Sequence, residues 1–85
     1  MPIKTPDWLE RHSGAVRQTS LPKTWVVLLA GEAQYRLVTA PAGGHFTCHV
    51  TQTVNGKRLD SGATVPSEEE ALQSGLEDLR KALGW

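Results

Sequence analysis

Two hydrophobic periods divide the second half of the chain. From Ser67 onward the apolar residues recur at helical spacing. Leu72, Leu76, Leu79 and Leu83 form one stripe, with Ala71, Gly75 and Ala82 beside it. Ser67 is a good N-cap, and Glu70 completes a Ser-x-x-Glu capping box. Glu68, Glu69 and Glu70 place negative charge at the positive end of the helix dipole, Arg80 and Lys81 place positive charge at the other end, and Gly84 supplies a stop. Glu77 and Lys81 are spaced to pair on the outer surface. Gly75 lets such a helix approach its partner closely.

From His45 to Val65 the period is two. Asn55-Gly56 is a strong signal for a type I′ hairpin turn, which needs positive φ at both central residues. With that turn, Val54 faces Lys57, Gln52 faces Leu59, Val50 faces Ser61, Cys48 faces Ala63 and Phe46 faces Val65. One face then carries Phe46, Cys48, Val50, Leu59, Ala63 and Val65. The other carries His45, Thr47, His49, Thr51, Thr53, Arg58, Asp60 and Thr64. A slip of one residue would mix the two sets. The apolar face is the natural seat for the leucine stripe.

Upstream, residues 24–30 (TWVVLLA) are apolar on both sides and short enough for a strand. Residues 31–34 read as a turn, residues 35–40 (YRLVTA) as a second strand, and residues 41–44 (PAGG) as a loop. A strand apolar on both faces wants cover on both. The C-terminal helix supplies one side, and the Trp8-Leu9 segment or a second copy of the chain supplies the other. Thr5-Pro6-Asp7 reads as a helix start, with Trp8, Leu9 and His12 on one face and Gly14 at the end. Residues 15–23 have no clear period and read as connection. The fold expected is α+β: an antiparallel meander of three to four strands, then one C-terminal α-helix packed on one face, preceded by a short N-terminal helix. Residues 1–23 form an N-terminal segment, and residues 24–85 a single β-β-β-β-α domain.

The bulk numbers narrow the class. Eighty-five residues make one domain with a small core. Nine basic and nine acidic side chains balance, which is not the signature of a dedicated polyanion binder. The balance is uneven, with seven basic and four acidic residues over 1–66 and two basic and five acidic from Ser67 on. A single cysteine excludes an intramolecular disulfide and suits a reducing compartment. With no apolar run of membrane-spanning length and no signal-peptide pattern, a cytoplasmic location is expected, with no membrane partner.

Little catalytic chemistry can be assembled. His45, Cys48 and His49 have metal-ligand residue types, but strand alternation sends Cys48 to the opposite face from the histidines. Cys48 reads as a buried core thiol. His49 and Asp60 are diagonal neighbours on an open sheet face, which offers no pocket to exclude water. Gly43-Gly44 is a hairpin loop rather than a phosphate cradle, because no helix follows it. The expectation is a non-enzymatic protein with no cofactor and no metal site.

From residue 35 the order of signals is Tyr35-Arg36-x-Val38, then Gly44-x-Phe46, Val50, Asn55-Gly56-Lys57-Arg58, Gly62 and Ser67-x-Glu69-Glu70-Ala71. Over about fifty residues this resembles the three-stranded-sheet-plus-helix DNA-binding domain of plant ethylene-response factors and the arm-binding domains of tyrosine recombinases. The resemblance implies a sheet face that reads DNA through arginine and tryptophan. Arg36 and Arg58 match contact-type arginines. Thr39 and Thr51 stand where arginine is expected, and Gly43 and Asp60 where tryptophan is expected.

Two readings follow. The first is a protein-interaction or self-association module, with an unidentified protein or a second copy as partner, using the strand over 24–30 and the free edge of the meander. The alternative is a DNA- or RNA-binding module using the polar sheet face, with Arg36, His45, Thr47, His49, Thr51 and Arg58 as the binding residues.

Overall fold

The computed structural model describes residues 4–85; residues 1–3 of the N-terminal segment lie outside the described residues. One turn of helix, α1 (Asp7–Glu10), precedes four strands, β1 (Gly14–Gln18), β2 (Thr24–Leu29), β3 (Glu32–Ala42) and β4 (His45–Gln52), and the 16-residue helix α2 (Glu68–Leu83) follows. The strands form one antiparallel sheet in the order β1-β2-β3-β4. The α+β meander with a C-terminal helix on one face is the architecture the hydrophobic pattern predicts.

Its fourth strand is not the one expected. Residues 57–65 follow β4 with only two isolated bridges, Thr51 to Arg58 and Phe46 to Val65. The fourth strand comes instead from residues 14–18, whose sequence reads as a helix stop and connection. The hairpin also closes differently. Gln52 N–H donates to the Lys57 carbonyl and Leu59 N–H to the Val50 carbonyl, so the loop is Thr53 to Gly56 and the pairing near it is two residues away from that expected. Gly56 has φ +70°, but Asn55 is not in the left-handed region. The Asn55 side chain instead accepts from Lys57 N–H at 2.9 Å, so the type I′ turn is not formed. A two-residue shift preserves parity, so Arg58 and Leu59 keep the faces expected of them.

The expected register returns at Phe46–Val65, where the two residues exchange main-chain hydrogen bonds at 2.8 Å. The surplus residues bulge between Leu59 and Val65, through Gly62 at φ +79°. There Asp60 replaces a main-chain acceptor, its Oδ1 receiving Val50 N–H at 3.1 Å. Ser61 turns toward α2 and donates to Asp78 through both its N–H and its hydroxyl, each at 2.9 Å. Ala63, expected on the apolar face, is exposed.

Strand bounds differ for local reasons. The β2–β3 turn is Ala30-Gly31, both at positive φ, so β3 begins at Glu32 rather than after a four-residue turn. A register shift opposite Val27/Leu28 absorbs the odd residue. β3 runs through Pro41 to Ala42, because β2 pairs only as far as Val38 and no neighbour on that side needs the missing N–H.

Val16, Trp25, Val27, Tyr35, Leu37, Cys48 and Val50 are buried with Ala71, Leu72, Leu76 and Leu79 of α2 and Leu9 of α1. A Cβ on Gly75 would come within 2.5 Å of Cys48 Sγ and 3.3 Å of Leu37 Cδ2, so the close approach expected at this glycine is real. Ser67 caps α2 by accepting from Glu70 N–H at 3.2 Å, and Gly84 ends it in the left-handed region. Ala82 is exposed rather than beside the stripe, and Glu77 pairs with Arg80 at 3.2 Å instead of Lys81. Thr5 does not cap α1; its hydroxyl accepts from Val16 N–H at 3.2 Å, and Pro6 occupies the cap position. α1 docks on the same side as α2: His12 stacks on Trp85 with ring centroids 3.7 Å apart, and Trp8 lies 6.3 Å from the same ring. The Trp8-Leu9 segment therefore does not cover the second face of β2, and that face of the sheet is open among the described residues.

Candidate functional site

The open face is defined by parity. Leu37, Cys48, Val50 and Trp25 point toward α2, so their neighbours Arg36, Val38, His49, Thr51 and Val26 point away. Register then assembles a row across the whole sheet. Arg17 lies opposite Val26, Val26 opposite Arg36, Arg36 opposite Thr51, and Thr51 opposite Arg58. Neighbouring strands are about 4.8 Å apart, so successive arginines of this row stand about 10 Å from one another. The next row holds Thr24, Val38 and His49, and beyond it lie Ala40 with Thr47 and Ala42 with His45.

All six residues expected to line the polar face lie on this side. Arg36, His45 and Arg58 are exposed, and His49 and Thr51 are half-buried. Thr47 is different. It is buried, and its hydroxyl donates to the Ala63 carbonyl at 2.9 Å, so it fastens the 57–65 segment to β4 rather than facing solvent. Arg17 belongs to the row but was absent from the expected set, because residues 15–23 show no period. Ala15-Val16-Arg17 holds no apolar–polar alternation from which a strand could be read.

Asp60 sits elsewhere than the sequence suggested. A carboxylate in the middle of this face would repel anions, but the Asp60 side chain is only 1 % exposed. It accepts from Val50 N–H, from Arg58 Nε at 3.2 Å and from Arg58 Nη2 at 2.8 Å. The Arg58 guanidinium beside it holds its carboxyl below the usual carboxylate range. Arg58 Nη2 also lies 2.9 Å from His49 Nδ1, and His49 Nδ1 is 3.7 Å from Asp60 Oδ2. The expected closeness of His49 and Asp60 is observed, with Arg58 inserted as their common partner. Asp60 is tied up as an internal clamp.

Charge is divided between the layers. Of the nine acidic residues, seven belong to the two helices (Asp7, Glu10, Glu68, Glu69, Glu70, Glu77 and Asp78); the others are Glu32 at the start of β3 and Asp60. β1, β2 and β4 contain no carboxylate. Among the described residues Arg17 and Arg36 form no ion pair, while Arg58 is compensated by Asp60. The open face is thus a cationic surface of two free guanidiniums and one paired one, on a floor of Ala15, Val26, Leu28 and Val38.

Cys48 lies on the covered side, where burial pushes its thiol up to about 12. Among the described residues no three His, Cys, Asp or Glu side chains are grouped to hold a metal ion, and no helix is long and apolar enough to cross a membrane. Comparison of the chain with protein-family models, with curated proteins and with solved structures found no match in any of the three.

Proposed function

We propose that the protein is a non-enzymatic binding module that receives a nucleic-acid backbone on the open face of its sheet. The observation that supports this reading is the row Arg17–Val26–Arg36–Thr51–Arg58, set on the sheet face that no helix covers among the described residues. Guanidiniums suit phosphate oxygens in fixed, forked geometry, and the flanking Thr51 and His49 add polar groups at hydrogen-bonding height. Self-association through the same face is disfavoured, because a two-fold contact would set this row against its own copy with no free carboxylate to answer it. Binding of this kind weakens with salt, with a slope of about −2 to −3 in log K against log salt for two or three neutralised phosphates.

The test is an NMR titration of the labelled chain with a short mixed-sequence DNA duplex and with a single-stranded RNA of similar length, at low salt. Shifts centred on Arg17, Arg36, His49, Thr51 and Arg58 are expected, and the Arg17→Glu/Arg36→Glu double variant should bind at least about tenfold more weakly. Unchanged affinity in that variant, or shifts confined to α2, would remove the reading.

A protein-interaction reading keeps one observation. On β1 the main-chain groups of Gly14, Val16 and Gln18 point away from β2, and of these Val16 N–H is taken by Thr5. The strand over residues 24–29, by contrast, is interior and offers no edge. A dimer mass in sedimentation, with shifts at Gly14 and Gln18 on dilution, would favour strand addition at β1 instead.

A further inference from the structure

We propose that the hollow at the β1–β2 end of the open face is a site for a single phosphate monoester carried on a flat or apolar body, that is, one nucleotide. This rests on the nucleic-acid reading of the face and extends it to a separate subsite.

The hollow has a volume of about 430 Å³ and is lined by Ser13, Ala15, Arg17, Leu28 and Gly31. That size falls within the range of small-molecule sites. Its composition is divided. Ala15 and Leu28, directly opposite one another on β1 and β2, make an aliphatic floor. Arg17, two residues along the same face, supplies a guanidinium, and Ser13 a hydroxyl. Among the described residues neither group is bonded to another side chain. An anion alone would not need the floor, and a purely apolar ligand would not need Arg17; a nucleotide uses both.

The backbone around the hollow is held in conformations that L-residues rarely adopt. Ser13 has φ +58° and Ala30 φ +52°, and the two are joined by Ala30 N–H donating to the Ser13 carbonyl at 3.2 Å. Such strain persists only where surrounding structure enforces it, and it fixes the rim of the hollow. Position adds a second argument. The arginine row runs across the sheet from Arg58 through Arg36 to Arg17, and the hollow adjoins its last member. A strand lying along that row leaves the sheet at the hollow, which places its terminal phosphate or last nucleotide there.

The probes are adenosine 5′-monophosphate, adenosine, N-acetyl-leucine, and one short single-stranded oligonucleotide with either a 5′-phosphate or a 5′-hydroxyl. Binding is followed by NMR and anisotropy on the full chain. Adenosine 5′-monophosphate should shift Ser13, Ala15, Arg17, Leu28 and Gly31, and adenosine should not. The phosphorylated strand should bind about tenfold more tightly than the hydroxyl strand, the worth of one charge-assisted contact. Ala15→Leu, which fills the hollow without altering charge, should erase that difference. Arg17→Gln should also erase it. Equal affinity of the two strands with no shifts from the monophosphate overturns the proposal, even if both strands bind the open face. Stronger shifts from N-acetyl-leucine than from the monophosphate overturn it in favour of a carboxylate site. Monophosphate shifts in the hollow, with neither strand touching Arg36, would keep the nucleotide site and remove the nucleic-acid reading.

Discussion

Val26 and Val27 are the same residue at adjacent positions of β2, and the molecule treats them oppositely. Val27 faces α2 and has no exposure, whereas Val26 is only half-buried between Arg17 and Arg36. The contrast extends to the two faces as wholes. On the covered side Trp25, Leu37 and Val50 are buried in one core with the leucines of α2, and Gly75 brings the helix close against Cys48 and Leu37. On the open side aliphatic residues alternate with arginines. The same strands build both, so hydrophobicity alone does not decide burial; parity relative to α2 does. A face whose residues are apolar enough to be covered, yet carry unpaired guanidiniums, is suited to a partner that is itself charged.

The most direct way to break this comparison is a pair of truncations on neighbouring residues of β3. Leu37→Ala removes a fully buried side chain and should cost about 3 kcal/mol, whereas Val38→Ala on the open face should cost about 1 kcal/mol or less. Denaturant melts at equal m-value measure both. Equal losses would mean that the open face is covered in solution, and parity would no longer explain the difference.

Gly75 sharpens the comparison from the helix side. Gly75→Val places a Cβ against Cys48 Sγ and should cost about 2–3 kcal/mol by overpacking. The neighbouring Cys48→Ala makes room, so the double variant should be less destabilised than the sum of the two single ones. Strict additivity in a double-mutant cycle would show that the helix sits farther from β4 than 2.5 Å for that Cβ implies.

Asp60 marks the boundary between the faces. Asp60→Ala strands Val50 N–H and leaves Arg58 unpaired, at a cost of about 2 kcal/mol near neutral pH. The carboxyl is held below its usual range by Arg58, so the unfolded chain takes up its proton first as pH falls. The stability linked to this charge is complete above the ordinary carboxylate value near about 4 and is lost as pH drops through the lower folded value. The gap between the parent and Asp60→Ala should therefore narrow in acid. A gap constant from pH 7 to pH 2 would show that the charge of Asp60 contributes nothing.

Ser67→Ala removes the hydroxyl that receives Glu70 N–H and should cost about 1 kcal/mol. That α2 was readable in such detail follows from its signals being local: cap, dipole charges, leucine stripe and C-terminal glycine all lie within one segment. The two faces of β4 were readable for the same reason, since alternation needs only neighbouring residues. What was hidden depended on long-range partners. β1 has five residues and one buried side chain, Val16, and exists because β2 offers it an edge. Residues 57–65 look like a strand, but the Asp60 carboxylate takes the place of a ladder acceptor, and two extra residues bulge out. The candidate site was half legible: His49, Thr51 and Arg58 came from alternation and Arg36 from the resemblance, while Arg17 and the hollow beside it came only from the pairing of β1.

Ala30 carries the smallest effect and the clearest sign. It stands in the two-residue turn between β2 and β3 at φ +52°, followed by Gly31 at φ +83°. Two central residues at positive φ are the type I′ arrangement, where Asn-Gly is favoured and a Cβ without a compensating polar group is strained. The sequence thus places its best type I′ dipeptide, Asn55-Gly56, in a longer loop, and an ordinary Ala-Gly in the turn that is type I′. Ala30→Asn relieves the strain without adding the unfolded-state freedom of glycine, and should stabilise the fold by about 0.5 kcal/mol. The Ala30 N–H bond to Ser13 is main-chain and survives the change. A rise in the denaturation midpoint at constant m-value is the expected result. A fall would mean that the β2–β3 turn, and with it the rim of the hollow, has another conformation in solution.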